Sequence, residues 1–97
     1  MKIVNAKLLV DYARENPNAA TAINRWVEVV SAAAWKHHGD LKQLFPQADY
    51  VGNSRYVFDL KGNNCRLVAV VVFFAGTLQV RFIGTHARYD KIKCSTI

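Results

Sequence analysis

The sequence predicts an α/β (α+β) domain in which an N-terminal helical hairpin packs on one face of a small antiparallel sheet. Three observations carry this. Residues 6–35 repeat apolar side chains at helical spacing, residues 55–83 alternate them, and the turn signals Asn16-Pro17, Gly62-Asn63 and Ala75-Gly76 divide the segments. A chain of 97 residues, 52% hydrophobic and 21% charged, has the balance of a folded domain and room for one core, so residues 1–97 are read as a single domain.

Lys2-Ile3-Val4 is expected as a short opening strand. Asn5 is a suitable N-cap for a helix from Ala6 to about Glu15, whose Leu8, Leu9, Tyr12 and Ala13 share a face and which Asn16-Pro17 stops. A second helix is expected from near Asn18 to about Trp35, with Ile23, Trp26, Val27, Val30, Ala33 and Ala34 as its apolar stripe. Lys36-His37-His38-Gly39 reads as its end, cations in the last turn and then glycine. Residues 40–53 read as a loop.

Arg55–Leu60, Cys65–Phe74 and Thr77–Ile83 then form a three-stranded meander. With two-residue turns, Asp59 pairs with Arg66 and Arg55 with Val70 in the first hairpin; Phe74 pairs with Thr77 and Val70 with Arg81 in the second. This register gives an apolar face carrying Tyr56, Phe58, Leu60, Leu67, Ala69, Val71, Leu78, Val80 and Phe82, which belongs against the helices. The other face is open and collects Arg55, Arg66 and Arg81 around valines, Arg55 and Arg81 lying roughly 9–10 Å apart across two strands. A second turn one residue longer would move Arg81 off that face.

Charge points to the same half. Residues 1–52 carry six basic and five acidic side chains, residues 53–97 seven and two, for a net +6. A polyanion partner is the first expectation, with solubility as the plainer use of such a charge. No run approaches the ~18 apolar residues of a membrane span, and the N-terminus lacks the apolar region of a signal peptide. Two cysteines make neither a disulfide framework nor a four-ligand zinc site. A cytoplasmic protein with no metal or cofactor and no membrane contact is therefore expected. His37-His38 lacks a matching second pair of ligands.

The three arginines suit phosphate, because guanidinium binds its oxygens bidentately and stays charged. The plainer role for Arg66 is a cross-strand ion pair with Asp59. After the last strand, His86-Ala87-Arg88-Tyr89-Asp90-Lys91 gathers an imidazole, a phenol, a carboxylate and two cations. On a helical turn His86, Tyr89 and Asp90 share one face. Cleavage of RNA by its own 2′-hydroxyl needs a base, cations for the phosphorane and an acid for the 5′-oxygen. Imidazole is the side-chain type that exchanges protons near neutrality, and arginines supply the electrostatic stabilisation. Tyr89 can stack on a base, or donate a proton if nearby cations lower its pKa. Packing roles for His86 and Tyr89 account for the same residues.

The stretch Phe45-Pro46-Gln47-Ala48-Asp49, then Arg55-Tyr56-Val57-Phe58-Asp59-Leu60-Lys61-Gly62-Asn63 and Arg66-Leu67, resembles the HigB-type toxins. Phe82-Ile83-Gly84-Thr85-His86 with Tyr89-Asp90-Lys91-Ile92 resembles their C-terminal signature. The resemblance covers nearly the whole chain and implies a type II toxin–antitoxin toxin with the RelE-like fold. It further implies an mRNA-cleaving enzyme (an mRNA interferase) acting without metal, usually on the translating ribosome, and a HigA-type helix-turn-helix antitoxin as partner. Carried over by position, Arg66 and Arg81 match the strand-borne basic residues, Lys61 a further one at the turn, and His86, Tyr89 and Asp90 the C-terminal site segment. Arg88 departs from the acidic or neutral residue of many relatives. The expected catalytic set is thus Arg66, Arg81, His86 and Tyr89, with Arg55, Lys61, Arg88, Asp90 and Lys91 gripping RNA. The alternative is a non-catalytic RNA- or ribosome-binding module using the same face, and a third reading is a domain for an acidic protein partner.

Overall fold

The computed structural model describes residues 1–60 and 65–97. Its strands are β1 (Lys2–Val4), β2 (Asp49–Gly52), β3 (Arg55–Leu60), β4 (Cys65–Val72) and β5 (Thr77–Thr85); its helices are α1 (Lys7–Glu15), α2 (Ala20–Ala32), α3 (His38–Leu44) and the single turn α4 (His86–Tyr89). The sheet runs β1-β5-β4-β3-β2, antiparallel except that β1 lies parallel to β5. One face of it carries the helices, as the alternation requires. Leu9, Ile23, Trp26, Val30 and Leu41 close on Tyr56, Phe58, Leu67, Ala69, Val71, Leu78 and Val80. Trp26 and Phe45 both meet Phe58 edge-on, with ring centroids 5.4 and 5.1 Å away. The RelE-like α+β architecture of the sequence reading is the one observed.

Several elements differ from expectation for identifiable reasons. Asn5 does not cap α1. It adopts φ +66°, and its side-chain amide donates to the Val80 carbonyl of β5 at 3.0 Å, which ties the start of α1 to the sheet. Helix α2 stops at Ala32 rather than near Trp35, because Ala33 turns extended and the Met1 amino group donates to the carbonyls of Val30 and Ala33. Lys36–Gly39 opens a helix instead of closing one. The Asp40 carboxylate accepts the backbone N–H groups of Lys36 (2.9 Å) and His37 (3.2 Å), satisfying donors that a helix start leaves free. The bond from Lys36 is the main reason that the Asp40 carboxyl lies below its ordinary range. Within the expected loop, Asp49–Gly52 extends the sheet as β2, followed by a turn with positive φ at Gly52, Asn53 and Ser54.

The first hairpin keeps the expected register, Asp59 opposite Arg66 and Arg55 opposite Val70; its Gly62-Asn63 turn lies outside the described residues. The second does not. Phe73–Ala75 coils into a 3-10 turn and Gly76 takes a left-handed φ of +67°, so Val72 rather than Phe74 faces Thr77, and Val70 faces Gln79 rather than Arg81. This four-residue loop shifts the pairing by two, which preserves the faces. A β-bulge then places Arg81 as the extra residue between the Val80–Ala69 and Phe82–Val68 pairs. Everything beyond it changes face. Ile83 joins the core beside Leu67, and Phe82 moves to the face away from the helices.

That face is less open than expected. After α4 the chain returns across it, with Asn53 Nδ2 donating to the Ser95 carbonyl at 2.8 Å and Arg55 to the Ile97 carbonyl. Val57 and Val68, on the side away from the helices, are accordingly buried. No helix among the described residues is long and apolar enough to cross a membrane.

Candidate active site

Arg66 stands mid-sheet on β4, flanked in register by Asp59 on β3 and Gly84 on β5. Its Cζ lies 4.9 Å from the centroid of the Tyr89 ring, within cation–π range. Its Nε is buried with no acceptor among the described residues, an arrangement that leaves a charged donor unspent. Gly84 is small for a reason. A Cβ there would come within 2.7 Å of Phe82 Cζ, so the Phe82 ring occupies the space a side chain would need. The bulge thus sets an aromatic ring beside the register neighbour of Arg66.

Helix α4 starts where β5 ends. The Thr85 hydroxyl caps it by accepting the Arg88 N–H at 3.3 Å. One turn places His86 and Tyr89 three residues apart on a shared side. The His86 Nε2 reaches to 3.8 Å from Asp59 Oδ1, an ion-pair distance when the ring is protonated, and is itself buried without a hydrogen-bond partner among the described residues. Asp59 therefore faces His86; no ion pair joins it to Arg66 among the described residues, so the cross-strand pairing considered for Arg66 is not made.

The Tyr89 hydroxyl lies 3.5 Å from Cys94 Sγ. That contact first, and burial second, push the phenol above its ordinary range, outweighing the downward pull of Arg66. The condition set for Tyr89 as an easily ionised donor, lowering by cations, is not met. Tyr89 is a neutral phenol held against a guanidinium.

The remaining sequence-predicted residues scatter. Arg55 is engaged by the chain itself: Nε and Nη2 donate to the Ile97 carbonyl (3.1 and 2.7 Å) and Nη1 to the Asn53 carbonyl (2.8 Å). Arg81, expected beside Val70, is carried by the bulge to the sheet margin, where it is exposed and lines a cleft with Arg88 and with Asp11 and Glu15 of α1. Asp90 and Lys91 are exposed just past α4. Lys61 lies outside the described residues. Among those described, no three His, Cys, Asp or Glu side chains converge as a metal site would require.

Two site residues escaped sequence reasoning. Asp59 was read as a partner for Arg66 and Phe82 as core. Only the direction of His86 from α4 could reveal the first, and only the bulge the second.

The assembled group is compact: one guanidinium for phosphate oxygens, an imidazole backed by a carboxylate, and a neutral phenol. The family profile described as HigB_toxin, RelE-like toxic component of a toxin-antitoxin system, matches residues 19–92. The chain belongs to the HigB toxin family. Relatives within reach of this HigB-family chain include an mRNA interferase HigB of Escherichia coli O6:H1, 31% identical over 94 residues that cover 95% of the chain and 91% of the relative. The mRNA interferase toxin HigB of Escherichia coli K12 is 31% identical over 93 residues, covering 93% of the chain and 88% of that protein. An mRNA interferase HigB of Shigella flexneri matches at the same identity and coverage. As a member of this family the chain is the toxic component of a toxin–antitoxin system, which makes an antitoxin its partner.

Proposed function

We propose that this HigB-family toxin is an mRNA endonuclease that cleaves through attack by the RNA 2′-hydroxyl. The observation that carries the reading is the convergence of Arg66, His86, Tyr89 and Asp59 from β4, α4 and β3. The scissile phosphate sits against the Arg66 guanidinium, whose fixed charge stabilises the added charge of the phosphorane. His86 takes the 2′-hydroxyl proton, and the Asp59 carboxylate stabilises the resulting imidazolium. The 2′-oxygen bonds to phosphorus, the bond from phosphorus to the 5′-oxygen breaks, and the Tyr89 phenol, kept protonated at neutral pH and still far more acidic than an alcohol, protonates the departing alkoxide. The products are a 2′,3′-cyclic phosphate and a 5′-hydroxyl, and the proton held by His86 passes through water to the Tyr89 phenolate, which restores both groups. No step calls on a metal.

Arg81, Arg88 and Lys91, exposed around the site, grip flanking phosphates, and Lys61 and Asp90 complete the RNA contacts, while Arg55 is held by the Ile97 and Asn53 carbonyls and braces the C-terminal segment instead. The names of the relatives support mRNA as the substrate. The natural setting of the reaction is the translating ribosome in the cytoplasm, and the antitoxin is of the HigA helix-turn-helix type. Mapping of 5′ ends on one mRNA, with and without translating ribosomes, tests the reading. New ends that require ribosomes, and that fall ~10²-fold or more in Arg66→Ala, are the expected result. Folded protein that makes no ends under either condition overturns it.

A further inference from the structure

β2 covers only part of β3. Its pairs are Asp49 with Val57, Tyr50 with Tyr56 and Gly52 with Arg55, and β2 begins at Asp49. Phe58, Asp59 and Leu60 are paired to β4 on one side, and among the described residues no strand lies on the other. Beside this free edge the chain departs through residues 44–48, opening a cleft of about 310 Å³ whose walls include Trp26, Leu44, Phe45, Phe58 and Leu60. Leu44 is 54% exposed at its lip. In its wall Trp26 is 3% exposed, and its indole N–H has no acceptor among the described residues. An unpaired strand edge, an apolar cleft and an orphan donor thus coincide.

We propose that this edge is where the antitoxin docks, by adding an extended segment to β3 in the place that β2 leaves vacant. Strand addition supplies main-chain partners to the edge, while alternate side chains set the choice of sequence. Phe58 and Leu60 point to the helix side and Asp59 to the other, so the incoming strand carries two large apolar residues around a basic or neutral one. An acceptor on the incoming segment meets the Trp26 N–H. A second copy of the chain is disfavoured as occupant. A two-fold axis centred on Phe58–Leu60 sets Asp59 against Asp59, a like-charge pair directly across the ladder. The position also explains inhibition, in a step that rests on the catalytic reading of His86: a cation opposite Asp59 draws that carboxylate from His86, and the added strand narrows access to Arg66.

The test uses the whole chain and a capped pentapeptide, Thr-Leu-Lys-Leu-Thr, followed by amide and indole NMR shifts. Expected are shifts at Phe58–Leu60 and at the Trp26 indole, and about tenfold weaker binding by Leu44→Glu, whose exposed position keeps the fold. Replacing the central lysine of the peptide by glutamate weakens binding by roughly threefold to tenfold. RNA cleavage by Leu44→Glu alone stays at the wild-type level, and saturating peptide lowers wild-type cleavage. Shifts that avoid the β3 edge overturn the proposal, as do equal binding by Leu44→Glu or self-association that protects the same amides. A wild-type chain that binds the peptide at the edge but cleaves no RNA refutes the catalytic reading and leaves the docking surface standing.

Discussion

Replacing Gly84 by alanine tests how the Phe82 ring packs beside the site. The added methyl would lie 2.7 Å from Phe82 Cζ, 3.0 Å from Cε2 and 3.3 Å from Cε1. Carbon atoms settle at about 3.5–4.0 Å, so the ring tip must retreat by roughly 1 Å. Overpacking of this kind costs about 1–3 kcal/mol in a closed core. Phe82 is only half-buried and can swing outward, which places the cost near 1 kcal/mol. For a domain of this length that is a fall in Tm of about 4–8 °C. The sign should reverse once the ring is gone. Gly84 does not have a positive φ, so alanine at 84 in a Phe82→Ala background gains up to about 1 kcal/mol from the restricted unfolded chain. Thermal and urea unfolding of the four proteins in this double-mutant cycle measure the coupling. Equal effects of the alanine in both backgrounds would refute the contact, and with it the placement of the Phe82 ring over Gly84.

Arg81→Ala should change stability by no more than about 0.5 kcal/mol, since the residue is exposed on the bulge, while the salt dependence of RNA binding loses roughly one counterion; unfolding and binding titrations check the pair. Cys94→Ala removes the largest upward influence on the Tyr89 phenol and should lower its titration midpoint, read from phenolate absorbance. In the native chain that raised phenol pKa contributes stability below the ordinary phenol range, lost as pH rises through the folded value. The fall in stability as pH rises above about 10 should therefore be smaller in the variant. Asp40, held low chiefly by the Lys36 N–H, should show the opposite sign: its bonds at the start of α3 persist above the unfolded carboxyl pKa and fail as pH falls through the lower folded one. Carboxyl carbon shifts during an acid titration follow this, and Asp40→Asn should fray the amides of residues 36–40 at neutral pH.

The sequence by itself determined much about this protein. Two amphipathic helices followed by alternating strands admit a helical layer on one sheet face, because each segment has a single apolar side to bury. The first hairpin register, and so the place of Arg66 opposite Asp59, follows from the Leu60–Cys65 spacing. The resemblance in Phe82–His86 and Tyr89–Ile92 pointed to the family. The tertiary structure decided the rest. Whether the chain at Phe73–Gly76 turns in two residues or four depends on how Phe73 packs against the core, and the bulge at Arg81 depends on the pairing across β4. Neither is a local preference, yet together they exchange Phe82 for Ile83 and move Arg81 from the site to its margin. Asp59 likewise belongs to His86 because α4 sets the imidazole above β3. Alternation names the two faces of a strand, but a single extra residue in the ladder decides which side chains each face receives.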